Sequence, residues 1–195
     1  QINMQKIVID YKTYWEKNGR ALKIKNSALY NVIKEVKENN SEISIVPALN
    51  GQPTMKNVAE QKELTMHSML NPEKEAEVFS RAYYNELVLT YYIWGMGMGY
   101  HVKALLKQSK QIKVVVLEPK LSILKCALEY LDFSTELEEG QLQILYGRQL
   151  LKELTSMSKE DQLLIHQPSL EIMPECAEKQ ALENYFVSFN SINEQ

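Results

Sequence analysis

The stretch ELVLTYYIWGMGMGYH, running from Glu86 to His101, decides the fold. Its first nine residues, Glu86 to Trp94, are continuous in apolar and β-favouring side chains, as in a strand buried on both faces. The chain has only seven glycines, and Gly95, Gly97 and Gly99 fall within five residues directly after that run. Val102, Leu105 and Leu106 then keep helical spacing through about Ser109. Working outward, Ile112 to Leu117 is a second buried-strand pattern closing on Glu118-Pro119, and Leu121, Leu124, Leu128 and Leu131 mark a helix. Leu142 to Tyr146 reads as a third strand, followed by a helix around Gln149 to Leu154. Gln162 to His166 reads as a fourth strand, and Pro174, as a first-turn proline, opens a last helix through about Phe189. Strands alternating with helices of this length form βαβ units and a parallel sheet.

Upstream the pattern changes. Tyr11 to Arg20 and Ala28 to Glu38 read as helices. Glu42 to Leu49, Thr54 to Ala59 and Glu63 to His67 read as short strands, with Asn50-Gly51 as a hairpin turn between the first two. Asn71-Pro72 supplies an N-cap and a first-turn proline for the next helix. The expected fold class is therefore α/β: a Rossmann-like, mostly parallel, doubly wound sheet over residues 72–195, with an N-terminal helical and β-hairpin extension over 1–71. Hydrophobic residues at 45% and charged residues at 24% of 195 fit a globular chain. A formal charge of −3 argues against a nucleic-acid partner. The longest apolar run, Leu87 to Trp94, is too short for a membrane span. Cys126 and Cys176, two and far apart, give neither a disulfide framework nor a CxxC metal site.

The glycine loop carries the chemistry. Where a buried strand turns into a helix, free N–H groups and a positive dipole end hold anions, and glycine admits a ligand close to the backbone. Glu118 ends the second strand 118 − 99 = 19 residues after the last glycine, where an acid in a doubly wound sheet reaches ribose hydroxyls. The dinucleotide pattern GxGxxG wants glycine at position 100 and finds Tyr100, which disfavours NAD and FAD. GxGxG is similar to the S-adenosylmethionine loop of class I methyltransferases, but the acid those enzymes carry two residues before the first glycine is here Ile93. Their polar motif after the fourth strand is here the stretch His166 to Ser169. S-adenosylmethionine and a nucleotide both stay open as ligands. The bland alternative is that the glycines permit tight packing of strand against helix and that Glu118 is a solvated strand end.

His101 and His166 both face the carboxyl-end crevice if the first and fourth strands are neighbours. With no carboxylate or third histidine at ligand spacing, no metal site is expected. His67 reads as a strand-end residue whose ring bonds the backbone, Cys126 as core, and Glu136, Glu138 and Glu139 as a solvated acidic loop. Tyr83-Tyr84 and Tyr91-Tyr92 read as core or interface aromatics. The expected ligand-binding set is Gly95, Gly97, Gly99, Tyr100, His101, Glu118 and His166; no GxSxG, HExxH or P-loop pattern occurs, so no catalytic residue is assigned.

Three stretches taken together carry a resemblance. They are NGQPT at 50–54, HSMLNPEKEA at 67–76, and WGMGMGYH at 94–101 with Leu117-Glu118-Pro119. Their order resembles the N-terminal domain of the motility accessory factor (Maf) family of flagellin glycosyltransferases, best over residues 43 to 119. The resemblance implies a fragment or short relative of a cytoplasmic protein that transfers a nonulosonic acid onto flagellin Ser/Thr, with the catalytic domain beyond Gln195. It also implies flagellin and that downstream domain as partners. The resulting expectation is a non-catalytic binding or scaffold domain, holding a nucleotide-type ligand or the acceptor at the Gly95–Gly99 crevice. The alternatives are an S-adenosylmethionine-dependent methyltransferase, and a domain that binds nothing and serves as an interface for its neighbour.

Overall fold

The computed structural model describes residues 14–37, 42–59, 62–157, 162–173 and 175–184 of the 195-residue chain. In chain order the elements are α1 (Trp15–Lys25), α2 (Ser27–Lys34), β1 (Ile43–Pro47), β2 (Pro53–Ala59), β3 (Lys62–Thr65), α3 (Pro72–Tyr83), β4 (Thr90–Trp94), α4 (Tyr100–Leu106), β5 (Lys113–Leu117), α5 (Leu121–Tyr130), α6 (Ser134–Glu138), β6 (Leu142–Leu145), α7 (Arg148–Ser156), β7 (Gln162–Ile165) and α8 (Gln167–Glu171). A further helical segment, α9, covers 177–184. The expected start of the first helix at Tyr11 and the ends of the last one, Pro174 and Phe189, lie outside the described residues.

Four parallel strands form one sheet in the order β6-β5-β4-β7. This is the Rossmann-like order, and the chain reverses direction across the sheet between β4 and β7, where such folds open a crevice. Side-chain alternation builds a core on each face. Tyr91, Ile93, Val114, Val116, Leu142 and Ile144 pack with α4 and α5. Trp94, Val115, Leu117, Leu145 and Leu163 pack with Leu154 of α7 and Leu182 of α9. Helices therefore cover both faces, which is why the strands read as unbroken apolar runs.

The first strand is shorter than its apolar run. Glu86 to Val88 stay outside the ladder, Leu89 joins it only through the carbonyl that accepts the Lys113 N–H, and Leu87 and Leu89 are exposed. Pairing begins where Thr90 meets Lys113. Just inside, the Tyr91 hydroxyl accepts from the Asn85 N–H and donates to the Asn85 carbonyl, which pins the turn to the strand.

β1, β2 and β3 form a separate antiparallel sheet. The loop carrying Asn50 and Gly51 spans residues 48–52 between the paired Pro47 and Pro53, longer than a two-residue turn. Asn50 Oδ1 accepts the Gln52 N–H and Gly51 takes φ 87°. Asn71 caps α3 as its sequence suggests, accepting the Lys74 N–H at 2.9 Å. The hairpin extension is not a separate body: Leu29, Ile33, Met55 and Met66 belong to the same buried cluster as Tyr91 and Ile93. Among the described residues no helix is long and apolar enough to cross a membrane.

Candidate functional site

Gly95, Gly97 and Gly99 have φ values of 97°, 50° and 87°, so the turn from β4 into α4 is built on left-handed backbone. This is the strand-to-helix bend that the sequence predicts. Four of its five N–H groups are bonded within the chain. Gly95 donates to the Leu117 carbonyl and Gly99 to the Met96 carbonyl. Met96 donates to Glu118 Oε1 at 3.0 Å, and Met98 donates to His67 Nε2 at 2.8 Å.

The space that glycine leaves is filled as well. A Cβ on Gly95 would lie 2.3 Å from Ser169, one on Gly97 2.5 Å from His67 Nε2, and one on Gly99 2.4 Å from Phe133. The close approach that glycine permits here is taken up by this chain's own side chains.

Glu118 corrects one expectation. It is not a solvated strand end: it is 2% exposed, and its second oxygen accepts the Lys120 N–H. Burial pushes its carboxyl up to about 7, against the pull of those two N–H bonds and of the Lys120 charge. The folded chain therefore holds this proton more tightly than the unfolded chain, whose value is 4.5. The Glu118 contribution to stability is full below the unfolded value and is lost as pH rises through about 7. The buried histidines act with the opposite sign, so the difference between wild type and Glu118→Gln isolates the carboxyl. That difference is expected to fall by on the order of 3 kcal/mol between about pH 4 and about pH 8, measured by urea unfolding. A flat difference would mean an ordinary carboxyl.

A third histidine completes the crevice. His101 leads off α4 and His166 follows β7, as the sequence suggests. His67 joins them from the end of the extension, with ring centroids 5.7 Å from His101 and 4.9 Å from His166. The expectation of no third histidine is thereby corrected: it counted spacing along the chain, and His67 reaches the other two through the fold. One nitrogen from each residue lies within 4.8 Å of the others.

Backbone partners fix the tautomers, because an amide N–H only donates and a carbonyl only accepts. His67 Nε2 takes the Met98 N–H, so its proton is on Nδ1, which faces Glu75 Oε1 at 3.8 Å. His101 donates from Nε2 to the Gly95 carbonyl, and its buried Nδ1 lone pair has no partner among the described residues. His166 donates from Nε2 to the Met66 carbonyl, and its Nδ1 accepts the Ser169 hydroxyl at 2.6 Å. Burial holds all three neutral: His101 is pushed down to about 4, while His67 and His166 lie well below the ordinary imidazole value, with repulsion from neighbouring histidines adding to the effect.

The three rings line a cavity of about 330 Å³ together with Met66, Glu75 and Phe79. Tyr100 stands aside from it, donating its hydroxyl to the Pro53 carbonyl at 2.6 Å and so clamping the hairpin. Of the expected set, His101 and His166 line this cavity, with His67 added, whereas Gly95, Gly97, Gly99 and Glu118 lie in the buried loop beside it. Glu136 is a third correction. It lies in α6 rather than a solvated loop, paired with Lys103 at 2.7 Å.

A solved structure, the Maf glycosyltransferase from Magnetospirillum magneticum AMB-1, is similar in fold, with a TM-score of 0.60 at 13% identity. The match covers 97% of this chain and 35% of that one, so this chain spans about a third of that protein's length. No curated protein matches the sequence. The model of the glycosyltransferase Maf N-terminal domain matches residues 36–160, a span that takes in the hairpin, the glycine loop and all of the parallel sheet except β7. The chain belongs to the glycosyltransferase Maf N-terminal domain family.

Proposed function

We propose that this chain is a non-catalytic scaffold domain of a larger Maf-type glycosyltransferase that places a nonulosonic acid on flagellin. The observation that carries this reading is the closed glycine loop. Phosphate or S-adenosylmethionine cradles need loop N–H groups aimed at the ligand. Here Met96 and Met98 aim theirs at Glu118 and His67, and Ser169 and Phe133 sit over the flanking glycines. Methyl transfer has the same difficulty, since Glu118, the residue that would hold the ribose, is buried against its own backbone donors. A loop closed in this way joins α3, the hairpin and the sheet into one rigid platform, on which a catalytic domain and its protein acceptor can be held.

The test uses the chain alone and the chain joined to the remainder of its parent polypeptide. With flagellin and a CMP-activated nonulosonic acid, the chain alone is expected to transfer no sugar, and with S-adenosylmethionine no methyl group. The longer polypeptide is expected to transfer sugar, and to lose most of that activity when this domain is deleted. Turnover by the chain alone, of either kind, would sink the reading.

A further inference from the structure

The closed loop and the cavity beside it share His67, and the cavity is set up for an ion. We propose that His67, His101 and His166 bind one divalent transition-metal ion of the zinc type, with an open coordination position facing the cavity. This goes beyond the scaffold reading and does not depend on it.

The donor set is three imidazoles, which suit zinc, copper, iron and nickel. One nitrogen from each ring lies within 4.8 Å of the others. Tetrahedral zinc at its usual Zn–N length holds nitrogens about 3.3 Å apart, so inward ring movements of roughly an ångström close the site.

The tautomers already match. Metal-binding histidines present one lone pair to the ion and donate the other N–H to a carbonyl or carboxylate, which fixes the ring. His101 does this with the Gly95 carbonyl and His166 with the Met66 carbonyl, each leaving Nδ1 for the ion. His67 turns its Nδ1–H toward the Glu75 carboxylate and keeps the lone pair on Nε2.

An orphaned acceptor marks the site. His101 Nδ1 is fully enclosed and has no hydrogen-bond partner among the described residues, a costly state for a buried polar atom. The other two lone pairs are taken by groups that can yield. The Ser169 hydroxyl rotates away from His166, and the Met98 N–H is released when His67 turns its lone pair to the ion. Three protein ligands beside a cavity of about 330 Å³ leave the fourth position for water or a small ligand.

The experiment titrates the untagged chain with zinc chloride by calorimetry, and with cobalt chloride by its visible d–d absorption. One equivalent is expected to bind, raising the thermal midpoint and shifting the Met98 amide resonance. His101→Gln and His67→Gln are expected to weaken binding by more than about a hundredfold, and Glu75→Gln, altered on a half-exposed side chain, by about tenfold. The wild-type stoichiometry and thermal shift need no variant, so a variant that fails to fold leaves the test intact. Absence of stoichiometric binding in the wild type would overturn the proposal. So would unchanged affinity in folded His101→Gln and His67→Gln chains.

Discussion

Gly95→Ala is expected to lower the stability of the chain by about 4 kcal/mol, a large part of the margin of a single domain. Two costs add. At φ 97° an L side chain is strained, which amounts to about 1–2 kcal/mol. The new methyl would also stand 2.3 Å from both Cβ and Oγ of Ser169 and 3.1 Å from His166 Cβ, so packed atoms must move, at about 1–3 kcal/mol. Gly140→Ala separates the two costs, because Gly140 has φ 77° with nothing within 4 Å of its added Cβ. Urea unfolding should show only the strain there. Ser169→Gly should in turn recover part of the Gly95→Ala loss, so that the double variant is more stable than the sum of the singles. Strict additivity would mean that the clash is relieved by a shift elsewhere.

Asn18→Ala is expected to cost about 3 kcal/mol, although the side chain touches no part of the crevice. Asn18 is fully buried on α1 and closes three backbone groups, one in the last turn of α5 and two just after it. Its Nδ2 donates to the carbonyls of Leu128 and Leu131 at 2.8 and 2.7 Å, and its Oδ1 accepts the Phe133 N–H at 2.8 Å. Alanine leaves those groups enclosed and unbonded, at about 1 kcal/mol or more each. Hydrogen exchange at the Phe133 amide should accelerate along with the loss of stability seen by urea unfolding. Because the Phe133 ring lies against Gly99, loosening there should also reach the glycine loop. An exchange rate unchanged from wild type would refute the assigned role.

The parallel sheet was legible because its strands are buried on both faces. Val114, Val115 and Val116 cannot alternate polar with apolar when helices cover each side. The glycine bend was legible because positive φ at 95, 97 and 99 leaves glycine as the unstrained choice. What the loop does with its N–H groups was not legible. A GxGxG stretch reads the same whether its donors face a ligand or a buried Glu118. His67 as a third member of the cluster was hidden for a related reason: its contacts lie 31 residues away at Met98 and farther at His166. Asn18 stands in an otherwise ordinary helix and finds its partners more than 100 positions downstream. Glu136 was misread because a run of acids resembles a solvated loop until Lys103 is brought beside one of them. The one sequence signal that singled out His67 is its place in the HSMLNPEKEA stretch, and it gave no hint of the residues facing it.

The order β6-β5-β4-β7 also bears on how the chain is made. A ribosome delivers β4 first among the parallel strands, and β5 and β6 can add to one of its edges as they emerge. The other edge waits for residues 162–165, the last strand of the sheet among the described residues. Through that interval Tyr91 to Trp94 present an open hydrogen-bonding edge with apolar side chains on both faces, the form in which nascent chains stick to one another. Ser169, which covers Gly95, arrives later still. Synthesis stalled between β6 and β7 should therefore give aggregates, whereas release of the whole 195-residue sequence should give folded protein, and ribosome-bound chains of graded length analysed by sedimentation would reveal the switch.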